Sequence, residues 1–115
     1  MAASLREINL ELGKPYADAA IRRLTYELKQ SERMGIKVLK VIHGYGSSGT
    51  GGRIRVEARQ YLGRLLGRRD IKAFIPGEKF SIFDEDTRSA LNLCPALRDD
   101  RDLDRHNNGV TFIVL

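Results

Sequence analysis

The sequence predicts one α/β domain, a two-layer sandwich in the order β-α-β-α-β, an insert, and a closing β strand. Three observations predict it. Apolar residues alternate, or crowd into short β-branched runs, near residues 8–12, 36–42, 70–75 and 109–115, whereas over 17–28 and 54–65 they recur every three or four positions. Glycine and proline separate these segments.

Ile8, Leu10 and Leu12 alternate with Asn9 and Glu11, which predicts a half-buried first strand ending near Gly13. Pro15 suits a first helical turn, since its missing amide proton has no partner there. Ala17, Ala20, Ile21, Leu24 and Leu28 then form the inner stripe of an amphipathic helix that ends before Gly35. Ile36, Val38, Leu39, Val41 and Ile42 predict a mostly buried second strand. Gly44, Gly46, Gly49, Gly51 and Gly52 end it. From Arg53 the spacing becomes helical again through Ile54, Ala58, Tyr61, Leu62 and Leu65, to a stop near Gly67. A third strand over 70–75 is stopped by Pro76-Gly77, and a turn at Asn107-Asn108-Gly109 precedes the last strand. This order implies right-handed crossovers and a mainly parallel four-stranded sheet, with one domain spanning 1–115.

The insert, residues 77–108, is too long for a plain connection. Asp84 is placed to cap a short helix through Arg88, Ala90, Leu91 and Leu93, which Pro95 stops. Asp84, Glu85 and Asp86 therefore read as a helix start. Asp100, Asp102 and Asp104 resemble the opening of a calcium loop, but Arg105 stands where glycine is needed and Thr111 where glutamate is needed. With Cys94 the only cysteine and His43 and His106 the only histidines, neither a disulfide nor a closed zinc site is expected. Cys94 reads as a small apolar residue. No cofactor is expected and no metal ligands are assigned, and a dependence on divalent metal stays open.

No run is long and apolar enough to span a bilayer, and residues 1–7 lack the apolar core of a secretory signal, so a cytoplasmic protein without membrane association is expected. The net charge of +5 is divided: residues 1–75 hold 15 Lys and Arg against 7 Asp and Glu, a balance of +8, and residues 76–115 hold 5 against 8, a balance of −3. The basic part contains the glycine-rich loop. A positive surface beside backbone amides at a helix start suits phosphate, and a solvated basic face is the plainer alternative.

Three chemistries compete for that loop. Gly44-Tyr45-Gly46-Ser47-Ser48-Gly49 fits the dinucleotide spacing G-x-G-x-x-G, but the acidic residue that holds the ribose is missing at the required distance. The P-loop spacing fails because Thr50 occupies the lysine position. A polynucleotide-backbone site remains, with Lys40 on the incoming strand, Arg53 and Arg55 in the first turns of the helix, and Arg59 one turn further on. Tyr45 either stacks on a base or packs beneath the loop.

Val41-Ile42-His43-Gly44-Tyr45-Gly46, followed by glycine, serine and an Arg-rich helix, resembles the H-G-x-G motif of the Smr (small MutS-related) domain family. The order of elements and the closing Gly-Val-Thr-Phe-Ile-Val-Leu extend the likeness over most of the chain outside the insert. The resemblance implies a compact sandwich similar to the C-terminal domain of bacterial translation initiation factor three. It also implies binding to DNA or RNA and, in several members, endonuclease activity. One motif departs: where active members carry L-D-x-H-G, this chain has Leu10-Glu11-Leu12-Gly13-Lys14, so the histidine is absent. The implied nucleic-acid-binding residues are Lys40, His43, Gly44, Tyr45, Gly46, Ser47, Ser48, Arg53, Arg55 and Arg59. For catalysis His43 would be acid or phosphate donor and Glu11 base or water-orienting group, with Arg53 and Arg55 stabilising the charged transition state. Two other roles for His43 stay open: a donor to phosphate without chemistry, and a ring that ties the loop to the sheet. The alternative function is a non-catalytic module that docks on a ribosome or another protein, with the acidic insert either screening the basic loop or offering a docking face.

Overall fold

A computed structural model describes residues 4–45 and 50–115, without the side chains of residues 50 and 51. In chain order the elements are β1 (Leu5–Asn9), α1 (Ala17–Arg33), β2 (Val38–Ile42), α2 (Thr50–Gly67), β3 (Ala73–Pro76), α3 (Glu85–Leu93) and β4 (Val110–Val114). Single 3₁₀ turns occupy Gly77–Lys79 and Pro95–Asp99. Asp84 caps α3 as expected, accepting from the Thr87 amide at 3.0 Å.

The sheet order is β1-β2-β4-β3. β1 pairs with β2 in parallel, and β4 is antiparallel to both β2 and β3. Three strands thus share a direction, as a mainly parallel sheet requires, but β4 runs the other way between two of them. The insert explains this. It leaves at Gly77 and returns at Asn107 on the same edge of the sheet, so close that a β-carbon on Gly77 would strike the Asn107 carbonyl. A chain that re-enters from the edge where β3 ended can only run back antiparallel.

The first strand lies earlier than its alternation predicts. Leu10 still donates its amide to the Ile42 carbonyl at 2.8 Å, but the chain then turns, with the Lys14 amide on the Glu11 carbonyl at 2.9 Å. Leu12, expected in the strand, is 65% exposed. The third strand likewise starts at Ala73 instead of Asp70.

Strand alternation divides the core in two. Ile8, Leu39, Val41 and Ile113 face α1 and α2, meeting Leu24 and Leu28 of the first helix and Ile54, Ala58 and Leu62 of the second. Val38, Ile75, Val110, Phe112 and Val114 face the insert, which covers them with Phe80, Ala90, Leu91, Cys94 and Leu97. The insert is therefore a third layer on the back of the sheet. Cys94 is the buried apolar residue expected.

Lys40 points to that back face, paired across the sheet with Phe112. Its side chain is 2% exposed, and its ammonium lies 3.0 Å from Asp100 and 3.7 Å from Glu7, with Asp102 a third partner at 2.6 Å. Burial opposes the charge, but the two aspartates outweigh it and raise the Lys40 pKa; Asp102 is lowered in turn. The expectation that Lys40 lines a path for nucleic acid is corrected here: it is the buried pin of the insert. Asp100 and Asp102, which imitate a calcium loop in sequence, are its counter-ions.

Candidate nucleic-acid interface

The loop after β2 begins at the carboxyl edge of the parallel strands, where open α/β folds place ligand-contacting groups. The amides of His43 and Gly44 both donate to the Gly109 carbonyl, at 2.9 and 3.0 Å, so the loop is tied to the start of β4. Gly109 is fixed in its turn: its amide donates to Asn107 Oδ1 at 2.9 Å, and Asn107 Nδ2 donates to Asp102 at 3.0 Å. Gly44 has φ +74°, and a β-carbon there would meet the Glu11 carboxylate. The structure thus brings Glu11 against the loop, on the turn that follows β1. Tyr45 is 57% exposed, and its ring edge lies 3.1 Å from where a β-carbon on Gly109 would stand.

His43 is completely buried. Its Nδ1 is 2.8 Å from the Gly44 carbonyl, which can only accept, so Nδ1 carries the proton. Nε2, 2.8 Å from Thr111 Oγ1, then accepts from that hydroxyl, and the hydroxyl oxygen accepts from Arg59 Nε at 3.2 Å. The chain of donors runs Arg59, Thr111, His43, Gly44 in one direction. Burial lowers the His43 pKa to about 4; the charges of Arg59 and Arg55 act in the same sense, against the Gly44 carbonyl and Glu78. At neutral pH the ring is uncharged with both nitrogens occupied, the arrangement that tying the loop to the sheet requires. So placed, it offers no N–H to an anion.

Arg59 is a hub of the same network. Its two terminal nitrogens bind Glu78 in parallel at 2.8 Å each, and Nη2 also approaches the carbonyls of Asn108 and Val110 at 3.4 and 3.3 Å. Burial opposes the Glu78 carboxylate, but the bonds from Arg59, and the charge of Arg55, lower its pKa overall. Arg59 was expected on the nucleic-acid path, yet its guanidinium is committed to Glu78, Thr111 and backbone.

Arg53 and Arg55 are placed differently. Arg53 is 78% exposed and only 3.6 Å from Glu57 one turn on, a loose surface pair. Half-buried Arg55 is near enough to His43 and Glu78 for its charge to act on both. α2 begins at Thr50, three residues before the start expected at Arg53, so Arg53 closes a first turn that has no acidic residue and faces the positive end of the helix dipole, while Arg55 lies in the second turn. Gly46, Ser47 and Ser48 lie outside the described residues. Among the described residues no cluster of His, Cys, Asp or Glu is suited to hold a metal, and no helix is long and apolar enough to cross a membrane.

Sequence reasoning missed Thr111, Glu78, Asn107 and Gly109. Only the glycine-asparagine turn before the last strand hinted at them, and it does not say which loop they would meet.

No protein-family model and no curated protein matches the sequence. Among solved structures the chain is similar to the Smr domain of Thermus thermophilus MutS2, at 19% identity and a TM-score of 0.56 over 96% of each chain. That likeness lies in the backbone, and at 96% coverage it takes in most of the insert. The chain is an α/β domain with the Smr-like fold.

Proposed function

We propose that this domain binds the phosphate backbone of RNA or DNA through residues 43–52 together with Arg53 and Arg55, and that His43 serves by ordering the loop. The observation that carries the proposal is the locked start of the loop, fastened by two amides to Gly109 and leading into a helix whose first turns present cations without a carboxylate in the first turn. The cation of Arg53 is disfavoured there by the helix dipole, by roughly 0.3–1 kcal/mol, until an anion joins it, and Arg55 lies in the next turn. The Smr-like fold supports the same reading. Proton transfer by His43 is not part of it, because both ring nitrogens are engaged and the proton affinity is low.

The test is binding of labelled RNA and DNA over a range of salt concentrations. Arg53→Ala and Arg55→Ala are each expected to weaken binding and to flatten the plot of log K against log salt by about one unit. Unchanged slopes in both variants sink the proposal. Wild type and His43→Ala, assayed for cleavage with and without magnesium or manganese, are expected to show no His43-dependent products.

A docking module remains the second reading, favoured by one observation. Ile82 and Phe83, 48% and 87% exposed, stand immediately before the acidic start of α3.

A further inference from the structure

Resting on that backbone-binding reading, we infer that Tyr45 is a stacking platform for an unpaired base, so that the preferred ligand is single-stranded nucleic acid. Stacking on an exposed ring is worth most when the ring is already fixed, since no side-chain freedom is then lost on binding. Tyr45 has one such support. Its ring is buttressed by the bare backbone of Gly109, and more than half of the residue is open to solvent. The support is itself rigid, because the Gly109 carbonyl holds two loop amides and its own amide is held by Asn107.

The charges of the neighbouring segments bear on where phosphate is drawn. The Glu11 carboxylate beside Gly44 offers only acceptors and repels phosphate. Arg53 and Arg55 lie further along the chain, on α2. Phosphates are drawn to these cations and away from the Glu11 carboxylate, which can accept from the amino group of a base. In a duplex the bases are stacked and paired, with no face free for a protein ring. A single strand has both parts available.

The experiment compares four probes of equal length at one low salt concentration: single-stranded RNA, single-stranded DNA, duplex DNA, and an abasic DNA strand with the same charge. Tyr45→Leu is expected to weaken binding to both base-bearing single strands about tenfold and to leave the duplex and the abasic strand unchanged, within the 1–3 kcal/mol per base typical of stacking. Tyr45→Phe is expected to bind like the wild type. Tyr26→Leu, at a tyrosine on α1 that is 60% exposed, is the control and is expected to change nothing. The chain has no tryptophan, so quenching of tyrosine emission by the base-bearing strands, absent in Tyr45→Leu, is a second readout. If Tyr45→Leu weakens all probes equally or none, the platform is wrong; loss of affinity for every probe in Arg55→Ala would then still uphold the backbone reading. Absence of binding to every probe overturns both.

Discussion

Glu78 and Arg59 meet through two parallel hydrogen bonds of 2.8 Å, joining the first residues of the insert to the middle of α2. The pair fixes the chain of donors that ends on the glycine-rich loop. Arg59→Ala is expected to destabilise the domain by about 2 kcal/mol in urea unfolding, since it removes charge-assisted bonds and leaves Glu78 without its cation. Because the folded-state pKa of Glu78 is lowered, its contribution is present above the unfolded carboxylate value and is lost as pH falls through the folded one. Glu78→Gln is expected to remove that acid-dependent part, and urea midpoints below about pH 4.5 measure it.

His43 supplies a second pH dependence with its own window. Its pKa falls from 6.5 to about 4 on folding, so between those values the unfolded chain binds more protons than the folded one. Stability is therefore complete above about pH 6.5 and is lost progressively down to pH 4, by an amount on the order of 3 kcal/mol. The imidazole carbon-bound protons, followed by NMR, are expected to titrate below pH 5 in the folded protein. A midpoint near 6.5 would contradict the buried neutral ring.

Lys40 tests the back of the sheet. Lys40→Met leaves Asp100 and Asp102, 8% and 10% exposed, without their shared cation and is expected to cost about 3–5 kcal/mol. Adding Asp100→Asn and Asp102→Asn to Lys40→Met is expected to recover a large part of that loss. Nucleic-acid affinity per folded molecule is expected to stay unchanged in Lys40→Met, which keeps the Asp102 contact to Asn107. A reduced salt slope would return Lys40 to the binding surface.

Two glycines separate steric from conformational strain. Gly77→Ala drives a methyl group into the Asn107 carbonyl, a backbone atom that cannot swing aside, and is expected to cost about 3 kcal/mol. Gly44→Ala meets only the end of the flexible Glu11 side chain, so its cost is mainly that of φ +74°, about 1 kcal/mol. Combining it with Glu11→Ala should therefore recover little. Chemical denaturation of the three variants decides the matter.

The elements legible in the sequence were those whose own residues settle their state. The stripe Ala17, Ala20, Leu24, Leu28 can only be one side of a helix, whereas the glycines after Ile42 misled in part: α2 begins at Thr50, so Gly51 and Gly52 belong to the helix that the spacing started only at Arg53. What was not legible depends on distant partners. Lys40 alternates correctly on β2, but nothing local says that its face will be covered by an insert beginning nearly forty positions later. The partner of His43 Nε2 is Thr111, 68 positions away, and the role of Arg59 is set by Glu78, 19 away. Leu12 misled because alternation persists for a few residues after the backbone has turned. The antiparallel course of β4 follows from where the insert returns, which periodicity does not record.

The place of β4 also governs how the molecule can assemble. The strand made last during synthesis is an inner one: Val38 pairs with Val114 and Ile42 with Val110, partners 76 and 68 positions apart. Until residues 110–114 leave the ribosome, β2 has an open edge, β3 has no neighbour, and Lys40 and Phe80 lack the ring of Phe112 against which they lie. Partial sheets of this kind invite pairing with other chains. Closure of the fold is therefore a late, long-range event, and folding is expected to be slow for a domain of this size.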